Sequence, residues 1–171
     1  MSFIVQRVHH VGLIVQNLET SMEFYNKLFD KEPDILTKVD NSAGLSRQFG
    51  VGEKPGDAVA KIAFYHIDNT SVELIETVQP KAELVQPPVY QPGAKHLCFQ
   101  CEDIEAAYND LTGRGIKFAA KPAYFDEEQP KLDGVKFAYF FDPDGNFLEI
   151  MEDPSKKGFI GSEQRAGLPK G

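Results

Sequence analysis

HLCFQCEDIEAAYNDL, residues 96–111, opens on a histidine, runs through a short apolar strand and an acidic turn, and enters an amphipathic helix. Residues 10–25, HVGLIVQNLETSMEFY, repeat that order, with His96 falling on His10, Ile104 on Leu18, Ala107 on Ser21 and Leu111 on Tyr25. Each copy is followed by a strand-rich stretch that ends in a strand carrying a carboxylate, SVELIE (71–76) and NFLEIM (146–151). The spacing predicts a duplicated unit in which each copy supplies one histidine and one glutamate to a shared metal ion.

Alternation in VHHVGLIV (8–15) puts His10, Gly12 and Ile14 on one strand face and Val11, Leu13 and Val15 on the other. Asn17 is placed to cap a helix whose Leu18, Met22, Tyr25 and Leu28 or Phe29 recur at helical spacing, with Pro33 beyond its end. That helix is expected to cover the Val11/Leu13/Val15 face and leave the His10 face free. A strand is expected near 35–40, a mobile stretch around Asn41–Ser46, and a Gly/Pro-rich loop over 50–57. VAKIAFYHIDNTSVELIET (59–77) reads as a hairpin turning at Asp68-Asn69, with Ser71, Glu73 and Ile75 sharing one face of its second strand.

The second copy repeats the scheme after a linker, 78–93, that holds four of the eleven prolines. His96, Cys98 and Gln100 share a face, Asp103 caps the helix, and Ile104, Ala107, Tyr108 and Leu111 form its apolar stripe until Gly113 or Gly115 ends it. KFAAKPAYF (117–125) is expected as a short strand, followed by a polar loop (126–134) and a hairpin around Asp142-Pro143-Asp144-Gly145. Phe147, Glu149 and Met151 share a face of the last strand, and the aromatic run 137–141 is expected in the core. The domain reading is therefore a first βαβββ module over 1–77, a linker over 78–93, a second module over 94–154 and a polar tail over 155–171. The fold class is α+β: the two sheets pair into a half-open barrel around a central metal, helices outside.

Bulk properties remove several classes of function. With 42% hydrophobic and 26% charged residues the chain is an ordinary globular protein, and no apolar run approaches the ~20 residues of a membrane span. The start, MSFIVQRVHH, lacks the apolar core and small-residue cleavage site of a signal peptide, so the expected location is the cytoplasm. A net charge of -8 argues against a nucleic-acid partner but leaves room for a small anionic substrate. Cys98 and Cys101, the only cysteines, lie three apart in a predicted strand and are expected as two buried structural thiols, not a redox pair or half a zinc knuckle. His9 is expected to pack or face solvent, and His66 to be exposed near its turn.

Two imidazoles and two carboxylates, His10, Glu73, His96 and Glu149, suit a borderline divalent ion: Zn, Ni, Co, Mn or Fe(II). An octahedral ion so held keeps adjacent positions open for two substrate oxygens. HVGLIVQNLETSMEFYNKLF, SVELIE, HLCFQCEDIEAAYNDLTGRGIKF and FFDPDGNFLEI together resemble the vicinal oxygen chelate superfamily, over about 150 of 171 residues. The acidic Pro-containing turn followed by Gly-Asn-x-x-Glu is the most specific of these pieces. By motif position the resemblance carries the family's metal ligands onto His10, Glu73, His96 and Glu149. It implies the fold and a metal site and leaves the reaction open. An ion with two adjacent open positions suits a metal-dependent lyase or isomerase that moves a proton next to a carbonyl through an enolate, and the duty of the metal-bound glutamates in relatives makes Glu149 the leading base and Glu73 its counterpart.

Lactoylglutathione lyases of this family commonly carry an arginine four residues after the first ligand histidine. Ile14 stands there, which weakens a glutathione substrate and leaves a carbonyl or thioester compound as the expected partner. The rival readings are a ring-cleaving Fe(II) oxygenase using His10 or His96 with Glu149, a non-catalytic pocket that sequesters a drug or metabolite, and a resistance enzyme adding a thiol or water to an antibiotic. Modules of this kind often pair across a homodimer.

Overall fold

The computed structural model describes residues 8–68, 70–81, 83–125, 132 and 134–154. The chain divides into two compact units, Met1–Gln86 and Pro87–Gly171. The expected C-terminal tail, 155–171, and most of the polar loop 126–134 lie outside the described residues.

In the first unit the order is β1 (Val11–Val15), α1 (Leu18–Phe29), β2 (Ile35–Val39), α2 (Ala43–Phe49), β3 (Val59–Ile67) and β4 (Thr70–Gln79). These form one four-stranded sheet of order β1-β4-β3-β2, with β1 parallel to β4 and the other pairs antiparallel. Asn17 caps α1 as its sequence suggests, its side chain accepting from the Thr20 N–H. The helix buries Leu18, Ser21 and Tyr25. Beneath them on the sheet lie Val15, Ala63, Tyr65, Val72 and Leu74, all almost wholly inaccessible. Tyr65 keeps its hydroxyl satisfied by donating to Asn26 Oδ1 at 2.7 Å, and burial pushes its phenol above the usual range.

The stretch expected to be mobile around Asn41–Ser46 is instead the start of α2. Ser42 caps it by accepting from Leu45 N–H, and buried Ser46 donates from Oγ to the Lys54 carbonyl at 2.8 Å while accepting from Ala58 N–H. These local bonds, not an apolar period, hold the seven-residue helix.

The second unit contains β5 (His96–Gln100), α3 (Ile104–Gly113), β6 (Ala123–Tyr124), β7 (Lys136–Phe141) and β8 (Phe147–Glu152), in sheet order β5-β8-β7-β6. Its ladder matches the first, with β5 parallel to β8. Asp103 caps α3 by accepting from Ala106 N–H. Ile104, Leu111, Phe140, Leu148 and Ile150 fill its core. The strand expected over 117–125 shrinks to Ala123–Tyr124 plus a single bridge between Phe118 and Phe140. Pro122, without an amide hydrogen, sits just before that remnant. The Asp142 turn closes as expected: its Oδ1 accepts from the N–H groups of Asp144 and Asn146, and Gly145 takes φ 79°.

A second repeated device ties helix to sheet. Glu76 stands three residues after Glu73 and Glu152 three after Glu149, so in each strand the second glutamate falls on the helix side. Glu76 accepts from Leu18 N–H and Glu152 from Ile104 N–H, both at 2.9 Å, placing a carboxylate on each helix N-terminus. Each is also the register partner of a lysine: Lys61 at 3.4 Å from Glu76, Lys136 at 2.8 Å from Glu152. The Lys136 ammonium and then the Ile104 N–H hold the Glu152 carboxyl below the usual range. A carboxyl depressed in the folded state stabilises above its unfolded value, about 4.3, and loses that contribution as pH falls through the folded one. Glu152→Gln is therefore expected to lower the thermal midpoint by a few degrees at neutral pH, with the gap to wild type closing under acid; melting curves across pH 2–7 measure it.

Candidate functional site

Register places the site residues. In β1–β4, Gly12 is the Cα partner of Glu73, and Phe64 of β3 lies opposite Glu73 on the other side. In β5–β8, Cys98 is the partner of Glu149, flanked by Tyr139 of β7. Alternation then gives each sheet one face packed by its helix and one face carrying the histidine and the glutamate. Burial follows: Val15 is buried while Gly12 and Ile14 are exposed on β1, and His96, Cys98 and Gln100 are exposed on β5.

On the first unit's face His10 Nε2 lies 3.2 Å from Glu73 Oε2. On the second, His96 Nε2 lies 3.1 Å from Glu149 Oε2. The sequence-predicted residues thus come together in each unit as one His–Glu pair. Among the described residues no group of three or more His, Cys, Asp or Glu that could hold a metal ion is gathered. Both carboxylates are deeply placed, Glu73 at 9% and Glu149 at 2% exposure, whereas both imidazoles are open to solvent.

The donor chemistry of each pair fits a divalent ion. At 3.1–3.2 Å the Nε2 and the carboxylate oxygen are joined either by an Nε2 hydrogen donated to the carboxylate or, when Nε2 carries a lone pair, by a metal ion between the two acceptors. Two ligand atoms bound at right angles through bonds of about 2.1 Å stand about 3.0 Å apart, close to both observed separations. His10 is further fixed by His9, whose Nδ1 is 2.9 Å from His10 Nδ1. A proton on that edge of His10 leaves the Nε2 lone pair toward Glu73, the tautomer a metal ligand needs. His9, read from alternation as a packing or surface residue, is therefore a neighbour of the site; its adjacency to His10 in sequence is the signal.

Cys98 is the clearest departure from expectation. It is exposed on the ligand-bearing face, not buried in the core, and its thiol hydrogen-bonds the Glu149 carboxylate. Desolvation, and then the Glu149 charge, push that thiol well above the usual range. Desolvation raises the Glu149 carboxyl as well, with the Cys98 hydrogen bond and His96 opposing. Cys101 lies just past β5, its backbone N–H donating to the Met151 carbonyl. The aromatic run divides by alternation: Phe140 enters the core, while Phe137, Tyr139 and Phe141 join Phe147 on the ligand face, with Tyr139 and Phe147 ring centroids 4.6 Å apart.

At the matching position of the first unit Gly12 carries no side chain, and an added Cβ would stand 3.3 Å from Glu73 Oε2. Gly12→Val is expected to displace that carboxylate and weaken divalent-ion binding at least tenfold, as read by titration calorimetry with Zn(II), while the thermal midpoint of the metal-free protein moves little. An unchanged affinity would show that the Glu73 carboxylate has no part in binding.

The family model for the glyoxalase/bleomycin resistance protein/dioxygenase superfamily matches residues 7–150, and the chain belongs to that superfamily. A 2-epi-5-epi-valiolone epimerase of an Actinomyces species is 28% identical over 156 residues, covering 89% of this chain and 82% of its own. A glyoxalase family protein from Bacillus cereus superposes with a TM-score of 0.69 at 19% identity, over 87% of this chain and 95% of the other. FosX, the fosfomycin resistance protein of Listeria monocytogenes, solved with Mn(II) and sulfate, superposes with a TM-score of 0.54 at 15% identity, over 90% and 98%. Among the described residues no helix is long and apolar enough to cross a membrane.

Proposed function

We propose that the protein is a metal-dependent enzyme of the lyase/isomerase type, moving a proton on the carbon next to a substrate carbonyl. The observation that carries the reading is the repetition of one His–Glu pair, at one ladder position and nearly one distance, on the open face of both sheets. His10, Glu73, His96 and Glu149 would hold the ion, one of Zn, Ni, Co, Mn or Fe(II). FosX, solved with Mn(II), offers support at the level of a shared fold. When bound, the ion supplies Lewis acidity that stabilises negative charge on a carbonyl oxygen as the adjacent carbon loses its proton.

The chain's own residues do the rest. The His9–His10 contact orients an imidazole toward the ion. Glu149, held almost wholly out of water by β8 and touched by the Cys98 thiol, is the group that takes and returns the proton, with Glu73 as its counterpart. Tyr139 and Phe147 line the same face and keep water from the reacting carbon. The epimerase relative supports the reaction type, since inverting a carbon centre requires a proton to leave and return. The substrate is a small carbonyl or thioester compound, and the place of action the cytoplasm.

Metal analysis combined with NMR detection of solvent deuterium entering a substrate carbon tests this. A hemithioacetal of a 2-oxoaldehyde, a CoA thioester and a hydroxyketone serve as probes. Exchange into one of them that stops with chelator and returns with metal is the expected result; exchange indifferent to chelator, or none into any probe by metal-loaded protein, contradicts it.

A further inference from the structure

The His–Glu pair is the same in both units, but the surface one ladder step away is not. In the first unit that step holds His66 and Ser71, Cα partners across β3 and β4. In the second, the corresponding partners are Phe141 and Phe147. One unit thus sets a polar pair beside its glutamate and the other sets aromatic carbon.

His66 is held on three sides. Its ring Nδ1 lies 2.8 Å from Ser71 Oγ, and Ser71 is buried. Its backbone N–H donates to Asp34 Oδ2 at 2.7 Å, and its carbonyl accepts from Lys31 Nζ at 3.3 Å. Asp34 is itself fixed, paired with Lys31 at 2.7 Å and donating its N–H to the Phe64 carbonyl. The residue is nonetheless exposed, and among the described residues its Nε2 has no hydrogen-bond partner. An exposed imidazole tied at backbone and Nδ1, with one polar atom left over, is preorganised for a ligand. It shares the face of Phe64 and Glu73 and stands two residues along the strand from Phe64, roughly 7 Å.

We infer that His66, oriented by Ser71, is a specificity-determining residue: its Nε2 binds a substrate hydroxyl two or three carbons from the reacting carbonyl and selects polyhydroxylated ketones over their deoxygenated analogues. This rests on the function proposed above and narrows its substrate class. A ketone that lacks that hydroxyl leaves Nε2 without its ligand partner and binds more weakly.

The test compares L-erythrulose with 1-hydroxybutan-2-one, which has the same four-carbon skeleton, carbonyl and terminal hydroxyl but lacks the other two hydroxyls. Uptake of deuterium from D₂O is followed by proton NMR on chelator-quenched samples. Wild type is expected to favour erythrulose at least tenfold in kcat/KM. His66→Phe, which copies the second unit, abolishes that preference chiefly through KM; His66→Gln restores part of it, and Ser71→Ala falls between. Metal content and thermal midpoint of each variant check that the fold and the ion are kept. A preference that survives His66→Phe, or wild type that does not distinguish the two ketones, overturns the inference. A metal-loaded wild type that exchanges neither ketone overturns this assignment, and one that exchanges none of the probes overturns the proposed function with it.

Discussion

Glu149→Gln is expected to lower turnover about a thousandfold at saturating metal, the size of effect a general base carries. The amide matches the carboxylate in shape, keeps its place opposite Cys98 and Tyr139 in the ladder, and still offers an oxygen to the Cys98 thiol. It cannot take a proton. Glu149 is the more deeply buried of the two glutamates, so a charge there has less water to compete with the substrate proton. Glu73→Gln is expected to cost less. Steady-state kinetics of both variants, with metal content verified, decide the point: turnover intact in Glu149→Gln and lost in Glu73→Gln would move the base to the first unit.

His10→Ala and His96→Ala are each expected to weaken metal binding by a hundredfold or more. Either change removes one nitrogen ligand and strands a buried carboxylate that loses its facing imidazole. The two effects should be alike, because the pairs are alike in register and distance. Competition against a chromogenic chelator measures each affinity. A loss confined to one histidine would mean that the two units do not contribute equally.

Much of this was legible in the sequence because it depends on local spacing. The period of two in VHHVGLIV and HLCFQC separates a helix-packed face from a ligand face, and Asn17 and Asp103 mark the helix starts. What escaped the reading depends on cross-strand geometry or local polar bonds. Helix α2 has too few apolar residues to show a period and stands on Ser42 and Ser46. Cys98 looked like a core thiol because small sulfur side chains usually are; alternation had already set it on the His96 face, and the register then puts it beside Glu149. The paired glutamates three apart, ELIE and EIME, were present in both copies. Their second members, Glu76 and Glu152, gain meaning once Leu18 and Ile104 are seen to donate to them.

Under the proposed function both His–Glu pairs serve a single ion. Elemental analysis of wild type, His10→Ala and His96→Ala, each loaded with one divalent metal and freed of excess, tests that most directly. One ion per chain in wild type and none in either variant is the predicted result. Two ions per chain, with one retained after either histidine is removed, would mean that the pairs act separately and would contradict it.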